Sequence, residues 1–258
     1  MEYVFLNPIK IEGSRFEKGY GYSKFIKLKI NNKLSSPVLS LSMNTWGAKD
    51  NKDRTKKKIF ERIKEEKDCL SIYGESKGLE FAHWVGGMPT IRLGEGIWEP
   101  KTRLKLGQIK DYKDIKISTN WGFEAKGWGN LTFDIWLTKD EEGITKNHLE
   151  IMVFLDCTSK KAPWKEIGTF GPFNVGYLKK GSDWEGDSTK GGETIAFVLN
   201  KSTNQFKFNF MDLVKYCEKY INKKLGNYWL RSIDLGTEFA ANSKVEAKIF
   251  KLDFDFKK

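Results

Sequence analysis

Nine consecutive residues, His148 to Asp156, set the tightest limit on how this chain can fold. Leu149, Ile151, Val153 and Leu155 fall on one face of an extended segment, and His148, Glu150, Met152, Phe154 and Asp156 on the other. Period-two alternation of this kind reads as a β-strand with one aliphatic face turned to a core. The opposite face is unusual. A solvated strand face carries Lys, Thr, Ser and Glu, whereas here Glu150 stands beside a thioether and an aromatic ring. Such neighbours partly desolvate the carboxylate, and sugar rings dock well on flat apolar surfaces. An ordinary exposed glutamate on an edge strand fits these nine residues equally well, so the remainder of the chain has to decide.

The same two-faced design recurs. From Val38 to Trp46, Leu39, Leu41, Met43 and Thr45 point one way and Ser40, Ser42, Asn44 and Trp46 the other. From Asn130 to Thr138, Leu131, Phe133, Ile135 and Leu137 form the core face, opposite Asn130, Thr132, Asp134 and Trp136. Asp140-Glu141-Glu142-Gly143 then turns the chain toward the His148 strand, which predicts a hairpin or close neighbours. Antiparallel pairing of the two brings Asp134 and Glu150 together on a shared face. In Tyr228 to Phe239, Ile233 and Leu235 face the core while Asp234, Gly236 and Glu238 face away.

Other segments fill in around these. Strands are expected within residues 3–30, with a turn at Gly19-Tyr20-Gly21, and at Phe173 to Leu178 and Thr194 to Asn200. A last strand spans Lys248 to Lys257, with Phe250, Leu252, Phe254 and Phe256 on one side. Cys157 continues the aliphatic face of its strand as a small buried hydrophobe. A loop containing Pro163, Trp164 and Gly168 follows. Phe210 to Lys223 carries an apolar stripe at helical spacing, with Asn209 as a cap and Gly226 just past the end. Residues 48–68 are rich in Lys, Arg and Glu, with Ile59, Phe60 and Ile63 at helical spacing, and predict a short charged helix or a long surface loop. Many short strands and one helix, with no linker and no repeat, predict an all-β, two-sheet sandwich built as a single domain over residues 1–258.

Composition removes several function classes. The 258 residues carry a formal net charge of +11. A basic surplus suits nucleic acid or a membrane surface, but this one is scattered among many acids and no nucleic-acid motif is present. Lysine with abundant glutamate is also the surface pattern of heat-adapted proteins. Cys69, Cys157 and Cys217 form no CxxC, and His83 and His148 stand apart, so neither a disulfide framework, a metal site nor a cofactor is expected. No run of about 18 apolar residues exists to cross a membrane as a helix. Met1 to Lys10 shows no signal peptide; an extracellular location is expected from the function argued below, with a cytoplasmic one left open. A monomer is expected.

Gathered into one groove, the non-core faces would supply Asn44, Trp46, Asn130, Asp134, Trp136, Glu150, Met152, Phe154 and Glu238. Two carboxylates with amides and aromatic platforms are what glycoside hydrolysis needs: one carboxyl protonated to assist the leaving group, one ionised to attack or to activate water. Five segments, in order, make the case more specific. Asn44-Thr45-Trp46-Gly47, Gly87-Met88-Pro89-Thr90-Ile91 with Gly94, Asn130 to Leu137, Glu150 to Leu155, and Tyr228 to Phe239 with its Gly236-Thr237-Glu238 resemble the strand signatures of the glycoside hydrolases of family 12, the compact endo-β-1,4-glucanases.

That resemblance implies a β-jelly roll with a concave cleft, one short helix packed outside it, and a retaining mechanism without metal or cofactor. Glu150 matches the family's nucleophile and Glu238 its acid/base. Asp134 matches an aspartate beside the nucleophile that titrates with it as a coupled unit. Asn44, Trp46, Asn130, Trp136, Met152 and Phe154 are the implied substrate contacts, and the implied partner is a β-glucan: cellulose-type, mixed-linkage or xyloglucan. Phe154 stands where the family has Trp, Met88 where it has Tyr, and Arg92-Leu93 where it has aromatic residues, which leaves the preferred glucan open. Residues 158–168 match the family's cleft-spanning cord poorly. A non-catalytic carbohydrate-binding jelly roll is the alternative, and xylan is a second substrate to test because family 11 xylanases share the architecture.

Overall fold

The computed structural model describes residues 10–13, 23–30, 33–42, 59–78, 85–95, 105–141, 148–179 and 192–258. In chain order the strands are β1 (Lys10–Gly13), β2 (Ser23–Ile30), β3 (Lys33–Ser42), β4 (Ile59–Glu65), β5 (Leu70–Ser76), β6 (Val85–Gly87), β7 (Thr90–Gly94), β8 (Gly107–Gln108) and β9 (Asp114–Lys126). They continue as β10 (Gly129–Thr138), β11 (Leu149–Cys157), β12 (Lys165–Phe170), β13 (Phe173–Lys179), β14 (Glu193–Leu199), β15 (Gln205–Asn209), β16 (Trp229–Ala240) and β17 (Lys244–Lys257). One α-helix among the described residues, α1 (Phe210–Ile221), sits between β15 and β16.

Two sheets result. One has six strands in the order β1-β4-β5-β17-β9-β15; the other has eleven, in the order β12-β13-β14-β11-β10-β16-β7-β3-β2, with β6 and β8 joining at β16. The aliphatic phases meet between them. Phe133, Ile135, Ile151, Val153, Phe197 and Leu235 from the larger sheet share one core with Ile63, Ile72, Ile117, Trp121, Ala247 and Phe254 from the smaller. Burying each such side chain contributes roughly 1.5–3 kcal/mol, so this interleaved layer is what holds the sheets face to face.

The apolar stripe of α1 (Phe210, Met211, Leu213, Val214 and Cys217) joins the margin of that core, and Tyr216 sets its ring 5.0 Å from Phe170 and 5.5 Å from Phe197. Asn209 caps the helix as the sequence predicts, accepting a bond from the Met211 amide. The stop is Asn222, whose left-handed backbone (φ 52°) ends the helix four residues before Gly226. Asparagine tolerates that conformation better than other residues with a Cβ.

Other expectations need correction. Ile59, Phe60 and Ile63 belong to strand β4, not to a helix or loop: Ile59 and Ile63 are buried and Phe60 lies on the other phase, half-buried. A spacing of four satisfies both periods, and pairing with β1 and β5 decides for the strand. Residues 48–58 of that charged segment lie outside the described residues. After Pro163 and Trp164 the expected loop becomes edge strand β12, bulged between Glu166 and Gly168. In β17 a bulge between Ile249 and Lys251 turns Phe250 outward, 53% exposed, while Leu252 and Phe254 stay buried.

Candidate active site

Strand β10 is the spine of the site. It pairs antiparallel with β11 on one side and β16 on the other. Because directly opposed residues share a face, its non-core residues recruit partners row by row. Asn130 stands opposite Glu238, Asp134 opposite both Met152 and Asp234, and Trp136 opposite both Glu150 and Ser232. Asp134, Glu150 and Glu238 therefore lie on one face of one sheet. Asp134 and Glu150 are diagonal neighbours, a relation that sets positions about 7–8 Å apart. Glu238 enters at the level of Asn130 and Glu150 at the level of Trp136, six positions along β10.

The two glutamates sit in different settings. Glu238 is 7% exposed. Its proton affinity is pushed up to about 7, first by burial and then by the negative charge of Glu150; a hydrogen bond from Asn130 Nδ2 to its Oε2, 2.7 Å long, works in the opposite direction. Glu150 is 8% exposed. Thr194, its partner across the parallel β11–β14 pairing, donates its hydroxyl to Glu150 Oε2 at 2.6 Å, and hydrogen bonds to a carboxylate favour the ionised form. One carboxyl is thus biased toward its acid form and the other is held by a donor.

Beyond Glu150, Met152 and Phe154 join Ala196 and Val198 of β14 in a small apolar cluster on the side of the sheet away from the main core. All four of these side chains are buried. Trp136 is buried on the same face, its ring 5.2 Å from His148 at 45°. His148, just before β11, is fully packed: a Cβ at Gly192 would overlap its ring. Asn44 and Trp46 lie outside the described residues.

A bulge between Leu131 and Thr132 corrects another expectation. Past it, Cys157 stands opposite Asn130 rather than continuing the Leu155 face, so the thiol is half-buried beside Glu238, whose charge it senses. Burial is the first cause raising that thiol's proton affinity.

Sequence reasoning passed over two further groups. Thr194 had only its phase to mark it. Arg92 and Asp234 form a buried ion pair: Arg92 Nε donates to Asp234 Oδ1 at 2.8 Å and Nη2 donates to Oδ2 at 2.7 Å. Both sit in the correct strand phase, but nothing in a single sequence links positions on strands so far apart. Among the described residues, no group of three or more His, Cys, Asp or Glu side chains is arranged to hold a metal ion.

A family model for glycosyl hydrolase family 12 matches residues 37–255. The chain belongs to glycosyl hydrolase family 12. Solved structures agree on the fold. A family 12 xyloglucanase from Bacillus licheniformis superposes with a TM-score of 0.68 at 19% identity, covering 92% of this chain and all of its own. An endoglucanase from Rhodothermus marinus gives 0.66 at 13% identity, over 96% of this chain and 98% of its own. Endoglucanase 3 from Trichoderma harzianum gives 0.63 at 12% identity, over 94% of this chain and 100% of its own. A search of curated proteins found no match. Membership of the family makes the chain a glycoside hydrolase with a two-sheet jelly-roll fold.

Proposed function

We propose that this glycoside hydrolase is an endo-acting, retaining enzyme on β-1,4-linked glucan, with Glu150 as nucleophile and Glu238 as acid/base. The observation that carries the reading is the unequal pair: Glu238 raised to about 7 by burial and by Glu150, on the face where Thr194 donates to Glu150. A carboxyl raised in proton affinity with a second carboxyl on the same face is what an acid working beside an anion requires.

In the first step a Glu150 oxygen attacks the anomeric carbon as the bond to the leaving-group oxygen breaks, and that oxygen takes the proton of Glu238. Glu238, now ionised, removes a proton from water, whose oxygen attacks the same carbon and releases Glu150. Two displacements return the original anomer. Asp134, diagonal to Glu150, is assigned the part of the aspartate that acts on the nucleophile through like-charge repulsion. Asn130 fixes the Glu238 carboxyl. Met152, Phe154 and Trp136, with Asn44 and Trp46, are assigned to the sugar. The named neighbours, a xyloglucanase and endoglucanases, support xyloglucan and cellulose-type glucan as substrates, and mixed-linkage glucan is tested beside them.

The test is a reducing-sugar assay on soluble cellulose derivative, mixed-linkage glucan, xyloglucan and xylan, followed by proton NMR of the first product formed. Turnover of a β-glucan with initial release of the β-anomer is expected. Glu150→Gln should lower kcat by at least about 10⁴-fold, in line with loss of a covalent nucleophile, while leaving the circular dichroism spectrum unchanged. Full activity in that variant removes Glu150 from the mechanism. Binding without turnover by the unaltered chain would point instead to a carbohydrate-binding module.

A further inference from the structure

Directly beside the acids lies a charged pair that the mechanism above does not use. Across the sheet, one row reads Arg92 on β7, Asp234 on β16, Asp134 on β10 and Met152 on β11. Arg92 grips both oxygens of Asp234, and the side chains are 9% and 4% exposed. Asp234 is the carboxylate interposed between the guanidinium and Asp134.

We propose that Asp234 is a positioning residue that occupies the Arg92 guanidinium, so that Asp134, Glu150 and Glu238 keep the proton affinities the reaction needs. The inference rests on the functional reading given above. Its physical basis is simple. A guanidinium stays charged at every accessible pH. Left uncompensated in a buried site, a cation lowers the proton affinity of carboxyls within a few ångströms. With Asp234 in place the pair is close to neutral as seen from β10. Without it, Asp134 is the next acid along the row, and drawing the guanidinium to Asp134 would also lower the affinity of Glu238, the group that must carry a proton near neutral pH.

Every charged or titratable group known to face this row has to be counted. On β11 these are Glu150 and Cys157, with His148 just before the strand; on β16 Glu238 and Asp234, on β10 Asp134, and on β7 Arg92; β3 places neutral Ser40 opposite Arg92, and β14 places neutral Thr194 opposite Glu150. Removing Asp234 therefore changes the local charge by one positive unit in a setting dominated by acids.

The experiment compares pH profiles of kcat/KM for the unaltered enzyme, Asp234→Asn, and the double variant Arg92→Met/Asp234→Asn on a soluble β-glucan. Asp234→Asn should move both limbs to lower pH by about half a unit or more, as an uncompensated nearby cation requires. The double variant removes both charges and should return both limbs to within about 0.2 unit of the starting profile, as distant or neutral changes leave them. A purely structural role changes the height of the profile, not the position of its limbs. Limbs that stay fixed or rise in Asp234→Asn, or that remain equally displaced in the double variant, overturn the proposal. Asp234→Ser replaces Asp234→Asn where the latter does not fold; failure of both to fold marks the pair as structural and also overturns it. The outcome is separable from the reading beneath it, because that reading falls only when Glu150→Gln keeps its turnover, whereas these limbs are compared among active proteins.

Discussion

Glu238 holds a proton in a range where an exposed glutamate has lost it, and both activity and stability should register this. The acid/base must be protonated to start the reaction, so kcat/KM should fall as pH rises through about 7. Asn130→Ala removes the hydrogen bond that opposes the shift and should move that limb upward by several tenths of a unit, read from the same profile. The stability sign follows from the same raised value. The native carboxyl keeps a proton that the unfolded one gives up above 4.5, so its contribution is full below pH 4.5 and is lost as pH rises through about 7. Glu238→Gln should therefore stabilise the fold at pH 8 by up to roughly 3 kcal/mol, measured by urea unfolding, while abolishing turnover. At this scale Glu150, Asp134 and Glu238 were legible because strand phase and motif mark them together. Thr194, Arg92 and Asp234 were not, because their roles arise only when β14, β7 and β16 are laid beside β11 and β10.

Among elements, the strands carrying the site tolerate little change in backbone spacing. A Cβ at Gly236 would come within 2.6 Å of Thr90 Cγ2 and press on the Pro89 carbonyl. Gly236→Ala should thus cost about 1–3 kcal/mol, the usual range for overpacking, and lower kcat as well, since Glu238 follows two residues later on β16. The measurements are urea unfolding and turnover of the same sample. Asn209→Ala, at the start of α1, should cost about 1–2 kcal/mol with unaltered kcat, since its side chain caps the helix and ties it to Asp114 and Ile115 of β9 in the smaller sheet. Bulges explain most of what the sequence hid here. One extra residue in β11, Leu155, across from the Leu131–Thr132 step carries Cys157 to the face that bears the acids, and one in β17 turns Phe250 to solvent. Period-two reading carries a phase straight through such a break. Ile59 and Ile63 misled for a different reason: four residues apart is an even number and also one helical turn.

For the whole molecule, the two sheets share one interleaved core from Ile63 and Trp121 to Phe133 and Phe197. The sandwich was legible because β10, β11, β16 and most other long strands declare an aliphatic face; the strand order was not, since a pattern of faces says nothing about neighbours. We expect the chain to behave as a single domain, with one thermal transition whose calorimetric and van't Hoff enthalpies agree. Phe197→Ala should lower stability by about 3–5 kcal/mol by opening a cavity in that shared core, and two separate transitions would contradict the single-domain expectation. Such a core positions β10, β11 and β16 as one rigid surface, on which the acids depend.

The most direct test of the central claim is to trap the covalent intermediate. A 2-deoxy-2-fluoro β-glucosyl or β-cellobiosyl fluoride slows both displacements, the second more, and leaves the sugar on the nucleophile. After proteolysis and mass spectrometry, the added sugar mass should sit on the peptide bearing Glu150 and should be absent from Glu150→Gln. A label on any other residue, or an active enzyme that accumulates no label and releases the opposite anomer, would contradict the account.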